Sequence, residues 1–383
     1  MRARVQLSGE TSDDFAVVSG VKQDCVLAPA LFNIYLHAML SCAFDAACAC
    51  GVRVEHRIDG GLLNIRRFGA RTLVRETTIR MLLFADDCAL FLHSADELQH
   101  MTIALASTAA KFGLTINASK TVCLFLPSPE VHSSILPQIS IGAEVLETTS
   151  RFCYLGSVIS TDQQLHVELR NRVSKATAAF GKLEYRVWNN HQLSIGTKLM
   201  VYKSMVLSVL LYGSETWTMY RRDVRYLVRF HQQCLRRILR IGWGARVADT
   251  EVLRRSGMYA VDGILLLRHL RWLGHVSRMD STWIPKQLLY GQLSIGKRHV
   301  GKSKLRYQDM IKVSLTRSNL DYRSWESKAV DRGAWRDLIT KAVAEVREKA
   351  LLHAEKKRQA PMNCTPSTSS AWCCRTCGRE CLS

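Results

Sequence analysis

The sequence has no long apolar run. The longest, Met205–Tyr212, holds eight residues and contains a serine, less than half of what spans a bilayer, so no transmembrane helix is expected. The two arginines of Met1–Leu7 are followed by no apolar stretch, so no secretory leader is expected either. The 13 cysteines lack regular spacing and five of them lie after Met362. That argues against a disulfide framework and for an intracellular chain (cytoplasm or nucleus) with reduced thiols. No internal repeat is present. Acidic residues are scarce, with 33 Asp+Glu facing 53 Lys+Arg for a net charge of +20. The shortage is local: residues 1–150 hold 12 basic and 15 acidic side chains, and the remainder holds 41 and 18. A field of that strength favours a polyanion as partner, nucleic acid before an anionic membrane.

What is present is a chain of 383 residues, 47 % apolar and 22 % charged. It is long enough for two or three domains, and its composition excludes a disordered or fibrous chain. Arg2–Leu7 and Asp14–Val18 read as strands around the Ser8-Gly9-Glu10 hairpin signal. Val26–Cys50 reads as a buried helix with Pro29 near its first turn. Gly51–Thr78 reads as an irregular hairpin insertion, and Ile79–Leu83 and Cys88–Leu92 as buried strands. Leu98, Met101, Leu105, Ala109 and Phe112 keep a 3.6 period, giving a helix capped by Asp96 and ended by Gly113. Thr121–Leu126 and Arg151–Ile159 are strand-like.

After Thr161 the pattern is helical: Asp162–Leu183, Ile195–Tyr212, Asp223–Ile241, Glu251–Ser277 with a break near Gly263, and Arg332–Gln359. Gly296–Lys304 is a basic loop, and Pro361–Ser370 is a Ser/Thr/Pro linker to a cysteine cluster.

The sharpest chemical feature is Asp86-Asp87, two adjacent carboxylates at a turn between apolar runs. Such a pair repels itself and loses hydration, and hard divalent ions bridging a phosphoryl centre would offset both. The bland alternative is an Asp-Asp turn that only bonds backbone. The surrounding residues favour the metal. Gly20–Pro29 followed by Leu31-Phe32-Asn33-Ile34-Tyr35, Leu83-Phe84-Ala85-Asp86-Asp87, Gly113–Asn117 with Lys120-Thr121, and Phe152-Cys153-Tyr154-Leu155-Gly156 occur in this order over about 140 residues. In type and order they resemble motifs of the reverse transcriptases of non-LTR (LINE-like) retrotransposons, closest to the RTE clade. The segments Leu211–Trp217, Leu270–Val276 and Asp331–Arg336 resemble the region beyond the palm in such elements, so the resemblance covers nearly the whole chain.

The resemblance implies an α+β fold. A partial polymerase palm (a small antiparallel sheet with helices) would occupy residues 1–160 and a mainly α-helical thumb-like region residues 161–260. A basic helical extension would follow over residues 261–360, with a linker and an incomplete Cys-rich, zinc-knuckle-like tail over residues 361–383. It implies RNA-directed DNA polymerase chemistry with Mg²⁺, an RNA template, a DNA primer and a dNTP. Asp86 would ligate the metals, Asp87 would support them, and Lys120 would donate a proton or contact phosphate. Gln23 would lie against the nascent base pair, and Tyr154, Leu155 and Gly156 would hold the primer end.

Two departures stand against activity. The family's first catalytic Asp precedes the Gly20–Pro29 motif, in a segment this chain does not carry, and Asp13 and Asp14 do not replace it. Asp24 stands where the family has glycine. A truncated or degenerate copy, inactive alone, is therefore expected. The alternatives are a non-catalytic nucleic-acid-binding remnant and a gene whose reading frame begins further upstream. Arg225, Arg229, Arg236, Arg237 and Arg240 at helical spacing, with Lys297, Arg298, Lys302 and Lys304, are candidate phosphate contacts. For any one of them the ordinary reading is a solvated face. Cys374 and Cys377 form half of a zinc site, and an unmetallated tail is the expectation. His269 and His275 are read as packing residues.

Overall fold

The computed structural model describes residues 2–17, 20, 25–45, 50–59, 61–62, 68, 71–127, 136–295, 304–359, 372–373 and 380–381. They form two compact units, one of residues 1–58, 65–164 and 290–299, the other of 59–64, 165–289 and 300–383.

The first unit opens with a nested hairpin. β1 (Arg2–Ala3) pairs with β4 (Phe15–Ala16), and inside them β2 (Gln6–Leu7) pairs with β3 (Glu10–Thr11) across Ser8 and Gly9, both at positive φ. Helix α1 (Ala28–Asp45) follows; residues 46–49, part of the expected longer helix, lie outside the described residues. Its Leu36, Met39, Leu40 and Phe44 recur at i, i+3, i+4 and i+8 and pack on Leu105, Ala109 and Phe112 of the next helical segment. That segment is α2 (Ala95–Lys111), whose N-cap is Ser94 rather than Asp96. The Ser94 hydroxyl accepts from Glu97 N–H at 3.1 Å, and Asp96 sits in the first turn, where its charge suits the helix dipole.

Between the helices, β5 (Val52–His56) pairs with β6 (Arg75–Ile79), and β15 (Gly291–Leu293) adds to the other edge of β5. β7 (Met81–Phe84) and β8 (Asp87–Leu90) form a separate hairpin. Gln99 of α2 imitates a strand partner to Ser140, donating to its carbonyl at 2.9 Å and accepting from its N–H at 2.7 Å. Ser140 begins β10 (Ser140–Ile141), which pairs with β11 (Glu144–Val145). β9 (Val122–Leu124) and β12 (Glu147–Thr149) pair in parallel, and β13 (Arg151–Tyr154) with β14 (Ser157–Ser160) antiparallel. The structure is mixed helix and strand as expected, with small antiparallel pieces. Instead of one antiparallel sheet, the described residues hold two-stranded pieces, one of them parallel, and one three-stranded sheet.

The second unit is helical. α3 (His166–Lys182), α4 (Ile195–Val201) and the short α5 (Ser208–Leu210) surround α6 (Arg221–Ile238), and α7 (Asp249–Ser256) and α8 (Val261–Ser277) complete a core containing Leu169, Tyr202, Leu227, Leu235 and Leu265. The break expected at Gly263 occurs at Gly257 instead. Gly257 ends α7 at φ +62, which glycine adopts without a Cβ penalty, whereas Gly263 lies inside α8. After α9 (Ile284–Tyr290), α10 (Tyr307–Arg317) and α11 (Trp325–Ala329), α12 spans Arg332–Gln359, the range the sequence indicates. No described helix is long and apolar enough to cross a membrane.

Three motifs of the helical half meet here. Arg268 donates to Leu211 O at 2.6 Å and lies 3.6 Å from the Glu215 carboxylate. His269, buried as expected, has Nε2 3.1 Å from Ser214 O, while His275 is exposed and lies beside Trp272. Trp335 Nε1 donates to Leu270 O at 3.0 Å, with its ring over Gly274. These segments hold the unit's chain crossings together.

Two wide turns shape the core. Trp188 and Asn189 N–H reach back five residues to Leu183 O and Glu184 O, which lets the Trp188 ring stack on Phe180 at 4.6 Å. A second wide turn, Tyr202–Leu207, brings Tyr202 OH to 2.8 Å from His231 Nδ1. Burial pulls the His231 imidazole down to about 4. An unfolded imidazole binds its proton near 6.5, so between these values the unfolded state holds more protons than the folded one. Stability is expected to be full above about pH 6.5 and to fall by roughly 3 kcal/mol as pH approaches the folded value. Urea unfolding of wild type and His231→Gln at pH 7 and 4.5 checks this. The variant should show a flatter profile; parallel profiles would contradict it.

Candidate functional site: an Asp-Asp turn and a basic helix

Strands β7 and β8 are joined by the two residues Ala85 and Asp86, with Phe84 opposite Asp87. So tight a hairpin needs a positive φ, and Ala85 takes it at +52 although it is not glycine. Asp86 in the turn and Asp87 at the start of β8 are both exposed. The flanking strand is not buried as expected: Leu82, Leu83 and Phe84 are exposed, Phe84 at 62 %. The physical reason is that β7–β8 is an isolated hairpin, with no third strand beside it among the described residues.

The second hairpin of the motif set, β13–β14, turns through Leu155 and Gly156, at φ +47 and +80. Two positive φ values in a two-residue loop make a type I′ turn, and the glycine suits it at no steric cost. Tyr154, the last residue before this turn, donates its hydroxyl to Leu82 O at 3.3 Å. Desolvation raises the Tyr154 phenol, and Cys88 and Asp87 raise it further. The structure thus brings Tyr154 to the Asp-Asp hairpin. Lys120 is exposed on the turn closed by Asn117, whose side-chain oxygen accepts from Lys120 N–H at 3.1 Å. No hydrogen bond or ion pair joins it to Asp86 or Asp87 among the described residues. Gln23 lies outside the described residues, as do Cys374, Cys377, Lys297, Arg298 and Lys302.

Two hard carboxylates on an exposed turn fit the donor set of a divalent ion such as Mg²⁺, which takes one or two carboxylates and completes its shell with waters and substrate phosphates. No third His, Cys, Asp or Glu joins them in a metal-binding group among the described residues. Asp86 and Asp87 can therefore hold one side of an ion, with the remaining ligands coming from a bound polyphosphate or from elsewhere in the protein.

On α6 the arginines divide into two sets. Arg236 donates to Val247 O and to the Asp249 carboxylate, both at 2.7 Å, and Arg237 pairs with Glu184. These two side chains tie α6 to its neighbours in the fold. Arg240 Nη1 lies 2.9 Å from His191 Nδ1. Arg225 and Arg229 are exposed and make no ion pair among the described residues. Arg221, one turn before Arg225, is equally exposed, and sequence reasoning passed over it. The count of i, i+4 arginines on this helix was the signal available.

Residues 1–159 match the family described as reverse transcriptase (RNA-dependent DNA polymerase). A putative uncharacterized transposon-derived protein of Caenorhabditis elegans is 27 % identical over 270 residues, 67 % of this chain and 94 % of that protein. The RNA-directed DNA polymerase from mobile element jockey of Drosophila melanogaster is 22 % identical over 254 residues, 64 % of this chain and 25 % of that polymerase. That of Drosophila funebris is 22 % identical over 242 residues, 61 % of this chain and 23 % of that polymerase. The chain thus spans about a quarter of the length of the two polymerases and nearly all of the nematode protein.

Proposed function

We infer that the chain is a stretch of a non-LTR retrotransposon reverse transcriptase, of RTE type, with residues 1–160 as part of the polymerase palm, 161–260 as a thumb-like region and 261–360 as a basic helical extension. The match of residues 1–159 and the likeness to the two mobile-element polymerases support the reverse transcriptase reading. The observation that supports the site is the β7–β8 turn, which carries Asp86 and Asp87, with Tyr154 hydrogen-bonded to Leu82 O of the same hairpin. In this reading the two carboxylates would hold Mg²⁺, which would neutralise charge on the phosphates of an incoming dNTP. Tyr154-Leu155-Gly156 would support the primer end, Lys120 and Gln23 would contact nucleotide, and a template–primer duplex would be the partner.

The chain alone is expected to bind duplex without extending a primer, because one carboxylate strand supplies only part of a two-metal site. Primer extension on an RNA template with Mg²⁺ and dNTPs, run beside a duplex-binding measurement, tests both halves. Extension that disappears in Asp86→Ala would overturn the inactivity, and failure to bind duplex would overturn the polymerase reading. The nematode relative, matched over nearly its whole length and described as transposon-derived, favours a second reading in which a shorter protein keeps only nucleic-acid binding. Duplex binding with no metal response that Asp86→Ala removes is its expected signature.

A further inference from the structure

Helix α6 carries far more cation than its surroundings balance. Residues 221–240 contain seven arginines and one acid, Asp223. Asp223 is buried and spent on the helix start, accepting from Tyr220 N–H at 3.0 Å. Solvated helix faces usually intersperse both signs, since opposite charges at i, i+4 stabilise by a few tenths of a kcal/mol and like charges cost about as much. Here Arg221, Arg225 and Arg229 follow one another at i, i+4 and i+8, so each neighbouring pair repels. Their exposed guanidinium groups find no carboxylate among the described residues, whereas Arg236 and Arg237 have Asp249 and Glu184. The three unbalanced arginines therefore form a ladder about 12 Å long with a cation roughly every 6 Å, from the 1.5 Å helical rise.

We propose that the Arg221–Arg225–Arg229 ladder is a sequence-independent contact for the sugar-phosphate backbone of nucleic acid, and that Arg236 and Arg237 take no part in it. The proposal rests on the nucleic-acid reading above and assigns the contact to one face of one helix. Each guanidinium can take a phosphate in bidentate fashion. A ladder of charges without base-reading groups fixes position and affinity but reads no sequence. A polyphosphate strand suits it better than an acidic peptide because its condensed counterions are released on binding.

The test is the salt dependence of binding of the full chain to an RNA–DNA duplex, for wild type, the triple variant Arg221→Gln/Arg225→Gln/Arg229→Gln, and Arg236→Gln. The triple variant is expected to lower the slope of log K against log salt by about three. Between 50 and 200 mM salt the wild type should then lose roughly 40-fold more affinity than the variant. The triple variant's Tm should hold or rise slightly as repulsion is relieved. Arg236→Gln should lose Tm and keep its slope. If the triple variant fails to fold, Arg225→Gln alone should lower the slope by about one. Duplex binding with an unchanged slope in the triple variant would overturn the ladder and leave the polymerase reading standing. Absence of duplex binding in the wild type would overturn both. Competition by polyglutamate as strong as by an oligonucleotide of equal charge would assign the ladder to an acidic protein instead.

Discussion

Gly274→Val is expected to unfold the helical unit at ordinary temperature or to lower its Tm far enough to be lethal to the fold. A Cβ built at Gly274 would lie no more than 3.0 Å from Nε1, Cδ1 and Cε2 of Trp335. The far side of that contact cannot give. Trp335 is 2 % exposed, its Nε1 is committed to Leu270 O, and its ring lies 6.2 Å from that of Trp325. The indole must leave its slot or α8 must move away from α12. Expelling a buried tryptophan costs about as much as deleting one, about 3–5 kcal/mol, a large part of the 5–15 kcal/mol that holds a typical domain. Gly274→Ala should be smaller in effect but of the same sign. A compensating variant, Gly274→Ala/Trp335→Leu, should be less destabilised than the sum of its singles, because the two residues share one space. Thermal unfolding followed by tryptophan fluorescence measures all three, and an unchanged Tm for Gly274→Val would refute the packing.

Arg172→Ala should be comparably severe, for electrostatic reasons. Arg172 and Glu168 stand one turn apart on α3 with side chains 6 % and 4 % exposed, and Arg172 Nε donates to Glu168 Oε1 at 2.5 Å. The guanidinium also lies over the Tyr212 ring, 4.5 Å from its centre. Removing one partner leaves a carboxylate in the interior and costs about 3–5 kcal/mol. Replacing both at once with apolar side chains of similar volume, Glu168→Leu/Arg172→Met, should cost much less, since neither charge then needs hydration. Chemical denaturation of the two single variants and the double variant gives the coupling directly. Additive losses would show that the pair is not mutually dependent. These two sites differ in kind. Gly274 fails by volume, and Arg172 fails by stranded charge.

How much of this was legible beforehand depended on whether the determining partner was local. Helix α12 and the core stripe of α2 follow from periodicity within one segment, and the Asp86-Asp87 turn follows from two carboxylates bounded by apolar runs. The cap of α2 fell on Ser94, two residues from Asp96, because both residue types suit that position and only the backbone geometry separates them. The break at Gly257 was missed because Gly263 also offered a glycine, and a glycine in the first turn of a helix does not end it. The exposure of Leu82, Leu83 and Phe84 was illegible, since an apolar run says that a strand wants cover and not whether a neighbour supplies it. The ion pairs of Arg236 and Arg237 were illegible for a related reason. Their acids, Asp249 and Glu184, are 13 and 53 positions away, beyond any helical-spacing argument. The motifs at Leu211–Trp217, Leu270–Val276 and Asp331–Arg336 were recognisable as a pattern, yet that they join chain crossings in the second unit emerged only from Arg268, His269 and Trp335.

In the proposed reading the β7–β8 turn would hold a divalent ion when substrate phosphates are present. The most direct measurement is Mn²⁺ binding, followed by water proton relaxation, to the full chain mixed with an RNA–DNA template–primer and a dNTP. Wild type is predicted to show an enhancement in that mixture that is lost in both Asp86→Ala and Asp87→Ala while duplex binding persists. Equal enhancement in wild type and both variants would contradict the assignment of the turn as a metal-binding site.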